Sequence, residues 1–310
     1  MTLFDAIVMV DWSACSRPKR GKDSIWIGVA RRRGRQLRLE DPLNTPTRRE
    51  AEAYVAQLLK GLVSEGARTL VGFDFPYGYP RGFASALGLP RELPAWRAVW
   101  DHLSHVPEGD RNENDRFGFA SGLNARVGRS PGPFWGCPPK RETSFLQSRR
   151  KGRWDFPYQL PGGGELARLR VTDARMKGVQ ETWKLLGAGS VGSQALLGIP
   201  CVARLRDRPD LAACSRVWPF ETGFTANPLP DVGPFVLHAE IWPGAVELDA
   251  GLHPVRDAAQ VLTLARRLAE IDAQEGLGDW FAEPADLAPG VRDACLAEEG
   301  WILGGRTSRG

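Results

Sequence analysis

Two short runs of apolar, mostly β-branched residues, each ending near an aspartate, constrain this chain more than any other feature. Residues 6–12 read AIVMVDW and carry Asp11, and residues 69–76 read TLVGFDFP and carry Asp74. An unbroken run of this kind predicts a buried strand. A carboxylate at the end of such a strand costs desolvation energy unless a partner compensates it. Both aspartates are therefore candidate site residues.

The segments around these runs predict how the strands are arranged. SIWIGVARR and the alternating QLRLEDP predict a second and a third strand, which form an antiparallel meander with the first. Thr47 and Glu50 form a capping box that begins a helix ending near Gly66. A helix that leads to a new strand normally returns it parallel within the same sheet. The order β-β-β-α-β then brings Asp11 and Asp74 to one edge of the sheet.

The C-terminal part of the chain is again regular. FVLHAEIW, residues 235–242, predicts a fifth strand, residues 254–273 an amphipathic helix and residues 291–303 a shorter final helix. Together these elements predict an α/β fold with a mixed five-stranded sheet flanked by helices.

The middle of the chain is different in character. Residues 76–232 are rich in Pro, Gly, Trp and Arg, and only two helices are predicted there, near 95–105 and 175–186. We expect a large irregular insertion that packs on the core as a cap, since so many aromatic residues are not typical of a disordered spacer. The predicted domains are a core of residues 1–75 and 233–310 and an insertion of residues 76–232.

Composition excludes several classes of protein. A chain of 310 residues with 42% hydrophobic residues and a net charge of +4 is neither disordered over most of its length nor short of core material. No run approaches the roughly 18 apolar residues that a membrane span needs. The first residues lack the basic stretch of a secretory signal, and the five scattered cysteines include no Cys-x-x-Cys pair. We expect a cytoplasmic protein with no membrane partner.

Two more acidic residues are candidates for a carboxylate cluster with Asp11 and Asp74. Glu240 lies within the fifth predicted strand, and Asp293 lies on the last predicted helix, where Glu298 and Glu299 could replace it. Clustered carboxylates suit Mg²⁺ or Mn²⁺, as one ion or as a pair. The alternative for Glu240 is an ion pair with one of the many arginines, and for Asp293 a solvated helix face.

Two loops are candidates for binding phosphate. The loop Ser13–Lys22 offers hydroxyl groups and cations, with Ser13, Lys19 and Lys22 as candidate ligand contacts, although it also fits a merely soluble basic turn. Residues 187–192 match Gly-x-Gly-x-x-Gly. The segment before them predicts a helix and not a strand, which argues against a dinucleotide fold. We therefore expect a loop that touches ligand through Gly189 and Ser190.

These motifs resemble the ribonuclease H-like superfamily. More narrowly, they resemble a family of uncharacterised bacterial proteins described as predicted nucleases with that fold. The family pattern corresponds here to Asp11, to Asp74-Phe-Pro-Tyr-Gly, to Glu240 followed by Pro243, and to Asp293 before Ala294. The segment GAGSVGSQALLGIP also resembles a family loop. The resemblance implies a ribonuclease H-like fold and a metal site made of Asp11, Asp74, Glu240 and Asp293.

The leading hypothesis is a metal-dependent phosphodiester hydrolase, a nuclease, that uses Mg²⁺ or Mn²⁺. The basic excess of residues 1–239 is compatible with a nucleic acid or a nucleotide-like phosphate as partner. A second hypothesis keeps the fold and changes the ligand. As in the actin-like branch of the superfamily, the loop Ser13–Lys22 would hold the phosphates of a nucleotide or another small molecule of cofactor metabolism. A non-catalytic binding protein is the third.

Overall fold

The computed structural model describes residues 2–34 and 36–305, so residues 1, 35 and 306–310 of the predicted core lie outside it. Nine strands are described: β1 Ala6–Asp11, β2 Ile25–Arg33, β3 Gln36–Leu39, β4 Leu43–Thr45, β5 Arg68–Phe73, β6 Tyr158–Gln159, β7 Glu165–Leu166, β8 Ser215–Val217 and β9 Phe235–Glu240. In the part of the chain that the structure describes, seven of them form one sheet. Its order is β3-β2-β1-β5-β9-β8, with β4 paired to β2. Strands β6 and β7 form a separate hairpin.

The sheet is mixed, as the sequence predicts. Strands β1, β2 and β3 pair antiparallel, whereas β5 pairs parallel with β1, and β9 parallel with both β5 and β8. The expectation of five strands is too low, because β4 and β8 have three residues each and are too short to show alternation. Since β8 lies within residues 76–232, the predicted insertion also supplies an edge strand of the sheet.

Helices cover both faces of the sheet, and none of the described helices is long and apolar enough to cross a membrane. The helices are α1 Arg48–Ser64, α2 Phe83–Ala86, α3 Ala95–Leu103, α4 Arg116–Val127, α5 Val171–Arg175, α6 Val191–Asp207, α7 Arg256–Ala273, α8 Gly278–Phe281 and α9 Pro289–Ala294.

The alternation of side chains along β1 divides the core into two layers. Val8 and Val10 belong to a cluster with Leu59 of α1, while Ile7 and Met9 belong to a second cluster with Leu264 of α7. Successive side chains of a strand point to opposite faces of its sheet, so an apolar run that is buried on both sides needs a helix layer on each face.

Helix α1 begins after Thr47 as predicted, and the Thr47 side chain caps it, although the Glu50 carboxylate bonds the Thr47 hydroxyl and not its backbone N–H. The Thr47 hydroxyl accepts a hydrogen bond from the backbone N–H of Glu50 at 3.2 Å and donates to the Glu50 carboxylate at 3.1 Å. The predicted helix near 95–105 is also present as α3, and the predicted helix of residues 254–273 begins two residues later as α7.

The predicted helix of residues 175–186 is wrong. Helix α5 ends at Arg175, and the backbone of residues 183–185 pairs instead with Trp135, whose N–H donates to the Trp183 carbonyl at 3.1 Å. The Trp183 side chain lies fully buried against the rings of Phe83 and Phe134. Burial of a large aromatic ring outweighs the modest helix propensity of the segment.

Helix α6 is a regular element that the sequence did not reveal. Its segment contains Gly192, Gly198 and Pro200, all of which disfavour a helix interior. Gly198 is required by packing, because a Cβ there would lie 2.3 Å from the ring of Phe75. The last predicted helix is shorter than expected, since α9 ends at Ala294 and passes into a π-turn over Cys295–Glu299.

A buried ion network joins the middle segment to the end of β9. The guanidinium of Arg170 is fully buried and donates to both oxygens of Glu240, at 2.6 and 2.7 Å, and to both oxygens of Asp173. It also donates to the backbone carbonyl of Glu299 at 3.0 Å. One side chain therefore ties together β9, the start of α5 and the C-terminal π-turn.

Replacing Arg170 tests how far the fold depends on this network. Arg170→Met should destabilise the protein by about 3–5 kcal/mol, because it leaves Glu240 and Asp173 buried without a counter-ion. The measurement is the free energy of unfolding from urea titration. Arg267→Ala is the control, since the Arg267 pair with Glu270 is exposed and should change that free energy by under about 1 kcal/mol. A loss of unfolding free energy below about 1 kcal/mol for Arg170→Met would show that the fold does not depend on the Arg170 network.

Candidate active site

A cleft of about 720 Å³ lies at the carboxyl ends of β1 and β5. Six parts of the chain line it: the end of β1 with residues 12–15, Asp23, Asp74, Arg116 at the start of α4, the loop of residues 185–190 with the start of α6, and the first two turns of α7. In α/β sheets, ligands bind outside the carboxyl ends of parallel strands. This cleft is therefore the candidate active site.

The structure brings Asp11 and Asp74 together in this cleft. They follow directly on Val10 and Phe73, which are paired in the parallel register of β1 and β5. The Oδ1 atom of Asp74 accepts the backbone N–H of Trp12 at 2.7 Å, which fixes the Asp74 carboxylate beside the end of β1. The alternation of side chains places both aspartates on the α7 side of the sheet.

Both carboxylates are electrostatically costly. Burial raises the pKa of Asp11 well above its ordinary value, and the negative charges of Asp74, Asp257 and Asp23 raise it further. Burial also raises the pKa of Asp74, to about 7, against the opposing effect of the Trp12 N–H bond. Two neighbouring acids without a counter-ion are typical of a functional site, because a purely structural site would neutralise them.

Asp257 and Asp23 are acidic residues of the cleft that the sequence analysis missed. Asp257 lies in the first turn of α7, and its carboxylate accepts the backbone N–H of Asp23 at 2.6 Å. The sequence could have indicated Asp257, since it is the acid at the start of the helix predicted to follow the fifth strand. No sequence pattern indicated Asp23, because it comes from a turn in the loop between β1 and β2.

The loop after β1 is held in a fixed shape by Arg48. The Arg48 side chain is buried and donates to the backbone carbonyls of Ser13 and Cys15 at 3.0 and 2.8 Å. The Asn112 side chain accepts the backbone N–H of Arg48 and donates to the carbonyl of Arg17. Preorganised polar groups of this kind bind a ligand without a further ordering cost.

The predicted phosphate contacts divide into two groups. Ser13, Gly189 and Ser190 line the cleft, and Ser190 is the N-cap residue of α6. Lys19 and Lys22 are not among its lining residues. Lys19 pairs at 3.6 Å with Asp23, which does line the cleft, and Lys22 is exposed. The hydroxyl and glycine positions therefore line the cleft, and Lys19 reaches it only through Asp23.

Arg116 and Arg256 are cations of the cleft that the sequence did not single out, and of the two Arg116 is the half-buried one. Its guanidinium donates only to uncharged groups: the Ser193 hydroxyl at 2.9 Å, the Ser16 hydroxyl at 3.0 Å and the Asn114 amide oxygen at 2.8 Å. No ion pair of the described residues includes it. Burial and the charge of Arg48 lower its pKa to about 10, which leaves it charged at neutral pH. A half-buried arginine without a carboxylate partner suits an anionic ligand.

Glu240 does not join Asp11 and Asp74. Both of its oxygens accept hydrogen bonds from Arg170, and the Oε2 atom also accepts the backbone N–H of Tyr77. In β9, Glu240 lies on the same face as Val236, four residues earlier, which belongs to the core cluster on the α1 side. Its side chain therefore leaves the sheet on the other face, and the ion pair that was the alternative at the sequence level is what the structure shows.

Asp293 and its two possible substitutes also lie apart from the pair. Asp293 is exposed and contacts Arg292. Glu298 accepts the backbone N–H groups of Gly82 and Ala84, at the start of α2. Glu299 accepts those of Arg81 and Val171. The acids of the C-terminal turn satisfy backbone donors, so they do not provide ligands for the cleft.

The oxygen donors of the cleft are compatible with a divalent cation. Among the described residues, no three His, Cys, Asp or Glu side chains converge as the ligands of one ion. Mg²⁺ does not require three, because one or two carboxylates with water and substrate phosphate oxygens commonly complete its octahedral shell. Asp11 and Asp74 fit that chemistry: both offer hard oxygen donors, and burial and neighbouring charges raise the pKa of each.

Comparison of the chain with protein-family models, with curated proteins and with solved structures finds no match.

The raised pKa of Asp74 predicts a stability effect of definite sign. Between pH 4 and pH 7 the folded protein retains a proton that the unfolded chain has lost, so stability falls as the pH rises through that range. In EDTA at pH 8, Asp74→Asn should therefore raise the free energy of unfolding, on the order of 2 kcal/mol, and the gain should vanish near pH 4.

Asp293→Asn is the matched control, because that carboxylate is exposed and should alter stability by no more than about 0.5 kcal/mol at either pH. The measurement is urea unfolding at both pH values. An Asp74→Asn protein that is less stable than the parent at pH 8 would show that the folded protein stabilises the charged carboxylate, which would contradict a raised pKa.

Proposed function

We propose that this protein is a metal-dependent hydrolase of phosphodiesters, with Asp11 and Asp74 as the metal-binding carboxylates. The observation that carries the proposal is their position at adjacent parallel strand ends, half-buried, close together and without a cationic partner among the described residues. Mg²⁺ or Mn²⁺ is the cation that such oxygen donors suit. When bound, it would supply charge neutralisation at the phosphate and activation of a water molecule.

The side chains of the cleft have separate tasks in this proposal. Arg116, which lines the same cleft as the acids, neutralises a phosphate oxygen. Ser190, the N-cap residue of α6, lines the same space, and the positive end of the helix dipole favours an anion there. Asp257 adds negative charge near Asp11 and so strengthens the attraction for a cation. The fixed loop after β1 keeps the Ser13 hydroxyl at the rim.

The fold supports the proposal through the sequence resemblance. The antiparallel meander followed by a helix and a parallel strand is the order that the ribonuclease H-like superfamily implies, and Asp11 and Asp74 occupy the corresponding strand ends. Glu240 and Asp293, the other two acids of that resemblance, are engaged elsewhere. We therefore propose a site with two protein carboxylates at its centre.

A small nucleotide-like phosphate is a second candidate substrate, and one observation favours it. Seven of the eleven tryptophans are buried, including Trp96, Trp100, Trp183 and Trp218 of residues 76–232. These rings form the core of the middle segment and are not available to stack along a nucleic-acid strand. A defined pocket for one nucleotide unit is therefore as compatible with the structure as an extended groove.

The activity test uses purified protein with Mg²⁺ or Mn²⁺ and a panel of single-stranded, duplex and hybrid nucleic acids, cyclic and linear dinucleotides and a chromogenic phosphodiester. Asp11→Asn and Asp74→Asn should remain folded and lower kcat by about 10²- to 10³-fold. Asp293→Asn should retain parental kcat. Equal activity in the two cleft variants and the parent would refute the role of the carboxylates, and no hydrolysis of any substrate would refute the function.

Arg116 provides an independent test of phosphate binding. Arg116→Ala should lower kcat/KM by about 10- to 100-fold, since charge-assisted hydrogen bonds to the phosphate contribute roughly 1.5–3 kcal/mol of binding free energy. Arg116→Lys should recover part of the loss, because it restores the charge but not the fork of donors. Arg267→Ala, an exposed arginine far along α7, is the control. Unchanged kinetics in Arg116→Ala would place the phosphate elsewhere.

A further inference from the structure

A smaller cavity of about 220 Å³ adjoins the cleft, and we call it the side pocket. The two spaces share Asp74, Gly189 and Gln194 as lining residues. A ligand whose phosphate lies against Asp74 can therefore extend an adjacent group directly into the side pocket. What that group is follows from the walls.

The walls of the side pocket are mainly apolar and include one large aromatic surface. Trp242 is half-buried and lines the pocket, and the fully buried Phe75 and Ile241 lie beside it. Gly244 packs directly against the Trp242 ring, since a Cβ there would lie 2.4 Å from the ring atoms. A fixed indole ring beside apolar side chains binds flat, unsaturated groups.

The wall of the side pocket contains an ion pair whose hydrogen bonds are already made within the protein. Arg170 and Glu240 line the pocket, but they bind each other through two hydrogen bonds, and the rest of the guanidinium is taken by Asp173 and the Glu299 carbonyl. Neither side chain has a charge left for a ligand. The side pocket therefore favours an uncharged group, in contrast to the charged cleft next to it.

Two amide side chains give the pocket hydrogen-bonding capacity. The Gln194 Nε2 atom donates to the Trp12 carbonyl at 2.5 Å, and the Gln180 Nε2 atom donates to the Gly178 carbonyl at 3.2 Å. No described group donates to the Oε1 atom of either side chain. Each glutamine thus offers an acceptor, and Gln180 is exposed and free to reorient. Amide groups pair with the edges of nucleobases.

We propose that the side pocket binds one nucleobase of the substrate, stacked on Trp242, while the adjoining phosphate lies in the cleft at Asp74. A planar, uncharged group with a hydrogen-bonding edge, linked to a phosphate, describes a nucleotide. A base in a duplex is stacked and paired, so the substrate must present this base unpaired, as a single strand or a short nucleotide. The inference rests on the proposed function for the phosphate, but the base site can be tested without it.

The binding test needs neither metal nor turnover. In EDTA, isothermal titration of adenosine, guanosine, cytidine and uridine should detect binding of at least one nucleoside to the full-length protein. Trp242→Ala should weaken that affinity by about 10- to 100-fold, as expected when one base loses its aromatic partner. Trp242→Phe should restore most of it. Leu248→Ala, which removes an exposed apolar side chain a few residues away, should leave the affinity unchanged.

The kinetic test compares a single-stranded oligonucleotide with the same strand carrying abasic sites, in Mg²⁺ or Mn²⁺. The abasic strand should be cleaved with a kcat/KM about 10- to 100-fold lower, and Trp242→Ala should remove most of that difference. Gln180→Leu, a change at an exposed position, should alter the ranking of the four nucleosides. It serves as a second variant should Trp242→Ala fail to fold.

The outcomes separate the two proposals. Nucleoside binding that depends on Trp242, with no hydrolysis of any phosphodiester, would overturn the proposed function and leave the base site standing. Hydrolysis that is equally fast on intact and abasic strands, or on duplex and single strands, would overturn the base site and leave the hydrolase standing. Binding of no nucleoside would also overturn the base site.

Discussion

The burial of Arg170 between Glu240 and Asp173 is the interaction on which the arrangement of the site depends. An isolated carboxylate at the end of β9 would cost several kcal/mol in a water-free environment, so Glu240 needs a counter-ion inside the protein. Arg170 supplies it and also donates a hydrogen bond to the Glu299 carbonyl in the C-terminal turn. The middle segment is consequently fixed against the strand ends, and the loop that lines the cleft is fixed with it.

Two neighbouring strand ends of one sheet thus solve the same electrostatic problem differently. Glu240 is paired on one face, whereas Asp11 and Asp74 have no cationic partner among the described residues on the other, where burial and the charges of nearby acids raise the pKa of both. The Glu240 ion pair stabilises the fold, whereas the charges of Asp11 and Asp74 are unfavourable until a cation binds them. Glu240 and the aspartate pair project from opposite faces of the sheet, although β9 adjoins β5, the strand that precedes Asp74.

Arginine is abundant in this chain, and its role differs from place to place. Arg48, Arg170 and Arg204 each bind a carboxylate or backbone carbonyls and hold elements together. Arg116 lacks an anionic partner among the described residues and lies on the cleft. The apolar side pocket beside the charged cleft completes the contrast. The two spaces together match a ligand that is charged at one end and planar and uncharged at the other.

The sequence alone determined the central strands, the capped helix α1 and the meeting of Asp11 with Asp74, because local hydrophobic runs, a capping box and the parallel crossover rule all act over short distances. It did not determine helix α6, whose Gly198 makes room for Phe75, or the irregular path around the buried Trp183. Nor did it decide whether Glu240 joins the carboxylate cluster or forms an ion pair with an arginine. That outcome required the register of β9, which sets the face, and Arg170, a residue 70 positions away in the chain. Long-range pairing of charges depends on which distant segments pack together, and only the tertiary structure decided that.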